Sequence, residues 1–430
     1  MSDIIENEEA DRDIVEQNVL EELFSKRYDL VTETSVSLKK TYINKISGTK
    51  SLKFAIILLD NSIEVYELSN SSLTRICHLS GHEKTVTEVV FNPREENMLF
   101  SASEDGVVKM WDIRASGSFV QDYKDEEEEM IRPYECMDIS HNGRVLCAGS
   151  QLVEDDAYLV FWDQRAPKPL GGYWNSHTDD ITQVKFHKEK MEILATGSLD
   201  GLVNIFNITE QTEADALSFS LNVENSVDKI SWLDDKTAAF LTQSNDLQLW
   251  DTRTGDLVCI YDREKIARSI KRSRADDCYL VDAFMSADEV PVLLAGSYGG
   301  DEDTLRSARL AGRRLVPLTN FGSNRQVVRS CWYDDDRDLL VTAGESGAIS
   351  VWRGERPAGD ADSDDSDDSD TDMDDASIER AARAAAQPAR PPPAPPGTRD
   401  AQVQAGERDD AAGKLTDALA KLHANRHKPY

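Results

Sequence analysis

The chain has 430 residues, with 80 Asp and Glu against 48 Lys and Arg and a formal charge of -32. Such a surface repels phosphate backbones, which argues against direct nucleic-acid binding, and it attracts basic proteins as partners. No apolar run is long enough to span a bilayer, the acidic first residues are unlike a signal peptide, and the six cysteines lack any C-x-x-C spacing, so neither a zinc site nor a disulfide framework is expected. The composition therefore predicts an intracellular, reduced, monomeric protein, cytoplasmic or nuclear (the nucleolus included), with protein partners, no membrane contact, no cofactor and no metal.

Residues 1–27 form an acidic N-terminal segment, with a charge of roughly -8 over its first 22 residues. Across 11–26, Val15, Val19 and Leu23 recur at helical spacing, with Leu20 and Phe24 beside them. This predicts a helix docked on the following domain or on a partner.

From 28 to 354 one phrase keeps returning: a turn residue, an alternating apolar run, an aromatic and an acid. Asp105-Gly106-Val107-Val108-Lys109-Met110-Trp111-Asp112 is its cleanest copy, and Asp200-Gly201-Leu202-Val203-Asn204-Ile205-Phe206-Asn207 repeats it. The aromatics Tyr66, Trp111, Trp162, Phe206 and Trp250 stand about 44 to 51 residues apart. Each repeat reads as one four-stranded twisted sheet that cannot bury both faces alone, so neighbours stack around an axis. The Asp-Gly pair supplies the tight turn. A degenerate copy around 305–310 and a last one at Trp352 bring the count to seven. The expected fold is all-β: a closed seven-bladed β-propeller, its last sheet completed by the alternating run Thr34-Ser35-Val36-Ser37-Leu38.

After 355 the composition changes. The stretch 355–375 carries roughly -10, and its Ser/Asp run at 360–375 cannot bury surface and should be disordered. Acids follow Ser363, Ser366 and Ser369, a context suited to acid-directed kinases. A polyproline stretch spans 388–396, stiff and extended. Ser377 could cap an Ala-rich helix over 378–387. Leu415, Leu419 and Leu422 make a narrow apolar stripe that a partner groove could read.

The repeats resemble the WD40-repeat family. Within it, Cys147-Ala148-Gly149-Ser150 leading into Leu159-Val160-Phe161-Trp162-Asp163, and His177-Thr178-Asp179-Asp180-Ile181, resemble the WD repeat-containing protein eighty-nine group. The likeness covers about residues 50 to 353 and is strongest in repeats three and four; the acidic, proline-rich tail departs from it. The resemblance implies a hydrogen-bonded structural tetrad of His82, Ser101, Asp105 and Trp111. His177, Thr196 and Asp200 repeat three members, with Phe206 in place of the Trp. It also implies a non-catalytic scaffold, and the group's plant relative points toward ribosome biogenesis.

In such propellers partners are read by loops on one rim. Here that places Lys84, Asp179, Asn225 and Arg325 before first strands, and Glu104, Leu199, Gln243 and Glu345 before the turn between second and third strands. The expected client is a basic protein of ribosome biogenesis or chromatin. An alternative comes from Trp111-Asp112-Ile113-Arg114, Trp162-Asp163-Gln164-Arg165 and Trp250-Asp251-Thr252-Arg253. Trp-Asp-x-Arg resembles the box by which some WD40 proteins bind the damaged-DNA-binding adaptor of cullin-four ubiquitin ligases, with Arg114, Arg165 and Arg253 projecting from the opposite rim. Such arginines also pair locally with the preceding Asp in ordinary repeats. No nucleophile pair, phosphate loop or metal-ligand cluster stands outside the repeat framework, and nothing in the sequence fills a central channel, so catalysis is not expected.

Overall fold

The computed structural model describes residues 11–355 apart from 38–40, 116–118, 126–130 and 299–302. The Ser/Asp run, the proline stretch and the C-terminal helical patterns lie outside these residues. Seven four-stranded antiparallel sheets are present. In chain order the blades span 43–79, 86–123, 134–173, 181–222, 227–261, 278–320 and 328–354, the last completed by an N-terminal strand.

Burial along each blade follows from its place in the stack. Second strands are sandwiched between neighbouring sheets, so Val145–Ser150 is buried at every position. Outermost strands have one wet face, and Ser72–Leu79 alternates accordingly. The core lies between blades: Trp162 packs edge-on to Tyr123 and Tyr134, at 6.4 and 5.8 Å between ring centroids, in a cluster that includes Phe100 and Leu146. The Asp-Gly turns close as the sequence predicts. Gly106 and Gly201 sit at φ +77° and +81°, a conformation glycine adopts without a Cβ clash. The Oδ1 atoms of Asp105 and Asp200 accept the N–H groups of Val107 and Leu202 at 3.0 and 2.9 Å.

The ring closes with Tyr28–Ser35 paired antiparallel to Ala348–Gly354, in register from Tyr28 opposite Gly354 to Ser35 opposite Ala348. This corrects the expected closing strand. Val36 follows the strand, its N–H donated to the Gly347 carbonyl at 2.9 Å, and Leu38 lies outside the described residues. The alternation at Thr34–Leu38 misled because a register shift between Leu30 and Thr32 breaks the pattern in the true strand.

The N-terminal segment straps blade six. Asp13 bridges Arg272, and the Ile14 N–H meets the Lys271 carbonyl at 3.1 Å. The helix is shorter than expected, Gln17–Leu23, and it turns Leu20 and Phe24 inward while Val15, Val19 and Leu23 stay partly or wholly exposed. The acids at 11 and 13 are committed to blade six, which holds the first turn expected of the helix in an extended bridge. Beyond the helix, Lys26 pairs with Asp288 and Asp338 at 3.0 and 2.9 Å, just ahead of the closing strand. None of the helices among the described residues is long and apolar enough to cross a membrane.

Candidate functional site

Antiparallel strands send the loops before first strands and the turns between second and third strands to one edge of the ring, the upper rim. The remaining turns form the lower rim. First strands line the axis.

Blade two is pinned beneath the upper rim by a chain of side-chain hydrogen bonds. The indole N–H of Trp111 donates to Ser101 Oγ at 2.8 Å, which lies 2.7 Å from His82 Nε2, and His82 Nδ1 lies 2.8 Å from Asp105 Oδ2. Burial pushes the Asp105 carboxyl upward, but hydrogen bonds from His82 and from the N–H groups of Glu83 and Val107 outweigh it and leave the pKa lowered. In blade four His177 bridges Asp200 at 3.0 Å and Thr196 at 2.8 Å. Phe206 offers no donor there. With every member engaged by its neighbours, the constellation orients the turn and offers no nucleophile to a substrate.

The sequence-predicted rim positions fall together in pairs. Backbone N–H groups of Glu104, Leu199, Gln243 and Glu345 donate to carbonyls of Thr85, Asp180, Ser226 and Val327 at 2.9–3.0 Å, which sets them beside Lys84, Asp179, Asn225 and Arg325. Lys84, Asn225, Gln243 and Arg325 are exposed; Glu104, Asp179, Leu199 and Glu345 are half-buried. Glu345 is held by Arg329, whose guanidinium lies over the rings of Tyr298 and Tyr279.

Blade three adds a feature to this rim. Val153 and Asp156 exchange both backbone hydrogen bonds, at 2.8 and 3.1 Å, around Glu154 and Asp155 at φ +52° and +74°. This is a two-residue hairpin whose conformation ordinarily selects Asn-Gly. Behind it, the Arg132 guanidinium lies between Asp125 and the Tyr158 ring, 4.2 Å from the ring centre. From blade two to blade five the rim carries Glu83, Glu104, Glu135, Glu154, Asp155, Asp179, Asp180 and Glu224. Against them stand the exposed Lys84 and Lys124.

On the lower rim, Arg114 and Arg165 are held by their own strands. The Arg114 fork donates to both Asp112 oxygens at 2.9 and 2.7 Å, and that of Arg165 to both Asp163 oxygens at 2.9 and 2.6 Å. Arg253 instead approaches Asp235 at 3.9 Å. Nearby, Asp334, Asp335 and Asp336 form a carboxylate group of metal-ligand dimensions, but Lys50 occupies its centre, 2.9 Å from Asp334 and 2.8 Å from Asp336.

The sequence offered nothing to fill a central channel, and the structure shows what lines it. The axis holds a cavity of about 680 Å³ walled by first strands, and those strands bring charge into it. Lys45 pairs with Glu88 at 3.0 Å between blades one and two, and Lys229 with Asp282 at 2.9 Å between blades five and six. Asp138 and Lys185 join the wall from blades three and four. Burial raises the Asp138 pKa, whereas for Lys185 the nearby Asp138 and Glu88 outweigh burial and raise it. No single repeat shows this arrangement, because the first strands of blades one to six each contribute one of these charges, and alone each looks like an ordinary solvated position. The six cysteines are all buried; burial pushes the Cys278 thiol up to about 12 and raises Cys136, Cys147 and Cys331 as well, so they pack as apolar groups and are poor nucleophiles.

The WD domain, G-beta repeat model matches residues 73–112, 168–207 and 315–353. Each match runs from the outer strand of one blade through the third strand of the next. The blades so completed, two, four and seven, carry a Ser or Thr at the fourth position of the second strand, Ser101, Thr196 and Thr342; Trp352 donates to Thr342 at 2.9 Å. Among curated proteins, the chain is 25% identical to the WD repeat-containing protein 89 homolog of Dictyostelium discoideum, over 67% of this chain and 77% of that one. It is 24% identical to a WD repeat-containing protein of Schizosaccharomyces pombe, over 60% and 80%, and 26% identical to one of Arabidopsis thaliana, over 71% and 79%. WD40 propellers are usually non-catalytic and typically act as protein-interaction scaffolds, and this chain is similar to them, with the WD40 repeat matched at three of its seven four-stranded blades.

Proposed function

We propose that this propeller is a scaffold that holds a basic protein client, of the kind found in ribosome biogenesis or chromatin, on the upper rim of blades two to five. The observation that carries this reading is the acid-rich arc there, from Glu83 and Glu104 through Glu154 and Asp155 to Asp179 and Glu224, facing solvent with few counter-cations. Rim carboxylates steer a basic partner and fix its orientation, while the rigid ring holds them at constant spacing. The blade-three hairpin supports the same reading, because it keeps two acids in a backbone conformation that disfavours them.

Affinity purification of the intact protein beside a Glu104→Lys/Glu154→Lys/Asp179→Lys variant tests it. Basic proteins should be enriched by the native chain at about 0.15 M salt, where the Debye length is about 8 Å and only close contacts survive, and lost from the variant. A client retained equally by the variant overturns the proposal.

A further inference from the structure

Ile131 and Leu152 lie on adjacent loops of blade three and are 58% and 39% exposed. The Gln151 N–H donates to the Pro133 carbonyl at 2.8 Å, which joins the loop before the first strand to the loop after the second. Ile131 also sits on the Asp105-Gly106 turn of blade two, where a Cβ on Gly106 would meet its Cγ2 at 3.0 Å. Carboxylates surround this apolar spot. Asp180 accepts the Leu152 N–H at 2.7 Å, Glu135 accepts from the Gln151 amide at 3.0 Å, and Glu154 and Asp155 are exposed at the hairpin tip. Residues 131–135 and 150–158 contain a single Lys or Arg, Arg132, and it is buried against Asp125 and the Tyr158 ring. Other exposed apolar strands among the described residues lie beside cations. Phe119 of blade two has the Lys109 ammonium 4.2 Å from its ring centre. The outer strand of blade five, with Leu257, Val258 and Ile260 exposed, runs into a helix carrying Arg263, Lys265 and Arg268 against Glu264.

A surface apolar at its centre and anionic at its edge suits a segment with an apolar stripe and flanking cations. The chain carries one beyond its described residues. Leu415, Leu419 and Leu422 stand at helical spacing in the sequence, among Lys414, Lys421, Arg426 and Lys428, with Asp417 the sole acid of 414–430. The roughly 60 residues between Glu355 and Leu415 span about 45 Å as a random coil, against a radius of gyration of about 20 Å for a domain of the propeller's size. We propose that segment 414–428 docks on this patch of its own propeller, its leucines over Ile131 and Leu152 and its cations toward Glu135, Glu154, Asp155 and Asp180. Tethering gives the segment an effective concentration on the order of mM, so it shields the middle of the acidic arc and a basic client must displace it. The shielding rests on the client reading above; the docking does not.

Zero-length carbodiimide coupling on the full chain tests this, because it joins an ammonium only to a carboxylate it touches. In the monomer fraction, Lys414, Lys421 and Lys428 should couple to Glu135, Glu154, Asp155 or Asp180. The variants Ile131→Ser/Leu152→Ser and Leu415→Ser/Leu419→Ser leave every coupling group in place, and each should reduce those products about threefold or more. Ile131 and Leu152 are exposed, and the leucine pair lies outside the propeller strands, so neither variant puts the fold at risk. Coupling of these lysines to the acids of 360–375 in place of the rim, or products unchanged in both serine variants, overturns the docking. Products confined to a cross-linked dimer overturn docking within one chain and assign the segment to a second copy. Deleting 412–430 should raise capture of a basic client several-fold. Rim coupling with capture unchanged by the deletion overturns the shielding alone, whereas absent coupling overturns the docking and leaves the client reading to its own rim variant.

Discussion

The Oδ2 atom of Asp11 lies 2.6 Å from Nε of Arg272, with both side chains buried and the two residues 261 positions apart in the chain. The same carboxylate accepts hydrogen bonds from Ser273 N, Ser273 Oγ and Arg274 N at 2.9–3.0 Å and from the Ser297 hydroxyl. Two residues on, Asp13 holds Arg306 at 2.5 Å and Arg272 at 3.2 Å. Blade six is the repeat that lost its aromatic-acid ending: Ala308 pairs with Leu293 where Trp111 pairs with Leu99 in blade two, and the N-terminal strap docks on Arg306, two residues earlier in the same strand.

Removing one partner from a buried pair leaves the other charge uncompensated. Asp11→Ala should therefore destabilise the fold by about 3–5 kcal/mol, whereas Val19→Ala on the exposed side of the helix should cost well under about 1 kcal/mol. Urea denaturation of both variants decides this. Equal midpoints would show the strap to be loosely held.

The blade-two tetrad predicts a pH signature. The folded pKa of Asp105 is depressed below the ordinary aspartate value of 3.8. Its contribution is therefore complete above that unfolded value and is lost as pH falls through the lower folded one. Asp105→Asn should cost about 1–3 kcal/mol at neutral pH, and the gap to the native protein should narrow only below about pH 4. Stability curves across acid pH check the sign: a gap that closes on going alkaline contradicts this account.

Seven blades were legible because an aromatic survives in six of the repeats, at Tyr66, Trp111, Trp162, Phe206, Trp250 and Trp352, and the gap between the last two leaves room for the seventh; a core position shared by two sheets cannot drift in spacing. The closing strand was harder to read. Tyr28–Ser35 carries a bulge and packs only one face, so the cleaner alternation just after it drew the boundary too late. The strap was misread for a related reason: helical periodicity put Val15 and Val19 inward, but tertiary ion pairs at Asp11 and Asp13 decide which face docks. The channel charges were invisible, since Lys45, Glu88, Asp138 and Lys185 become neighbours only once the ring closes.

The lower-rim arginines allow a direct test of the adaptor alternative. Because Asp112 and Asp163 already engage the forks of Arg114 and Arg165, an adaptor must displace or share those bonds. Binding of the purified damaged-DNA-binding adaptor should be the same for the native protein and for an Arg114→Ala/Arg165→Ala/Arg253→Ala variant, with thermal stability nearly unchanged. Loss of a measurable interaction in the triple variant would restore the ligase reading.

Rim acids should not contribute equally to client binding. Glu345 is already neutralised by Arg329, whereas Glu104 has no ion pair among the described residues. Glu104→Gln should raise the dissociation rate about threefold or more, with Glu345→Gln close to native. Deleting 360–375 should instead slow association at low salt and matter little near 0.15 M, where the Debye length of about 8 Å screens distant charge. Kinetics against salt separate these effects, and a tail deletion that leaves low-salt association untouched removes the steering role.

The blade-three hairpin gives the sharpest trade between stability and binding. Glu154 and Asp155 occupy positive φ at the turn tip, where a side chain with a Cβ is strained and Asn-Gly is the relaxed solution. Replacing Glu154→Asn and Asp155→Gly should stabilise the fold by about 1 kcal/mol while removing two exposed carboxylates from the rim. If those acids serve a basic client, the more stable variant should bind it several-fold more weakly, and Glu154→Gln/Asp155→Asn should weaken binding while leaving most of the side-chain bulk in place. A stabilised hairpin with undiminished client binding would mean that the strain serves some other end, and the acidic arc would then have to be read from Glu83, Glu104, Asp179 and Glu224 alone.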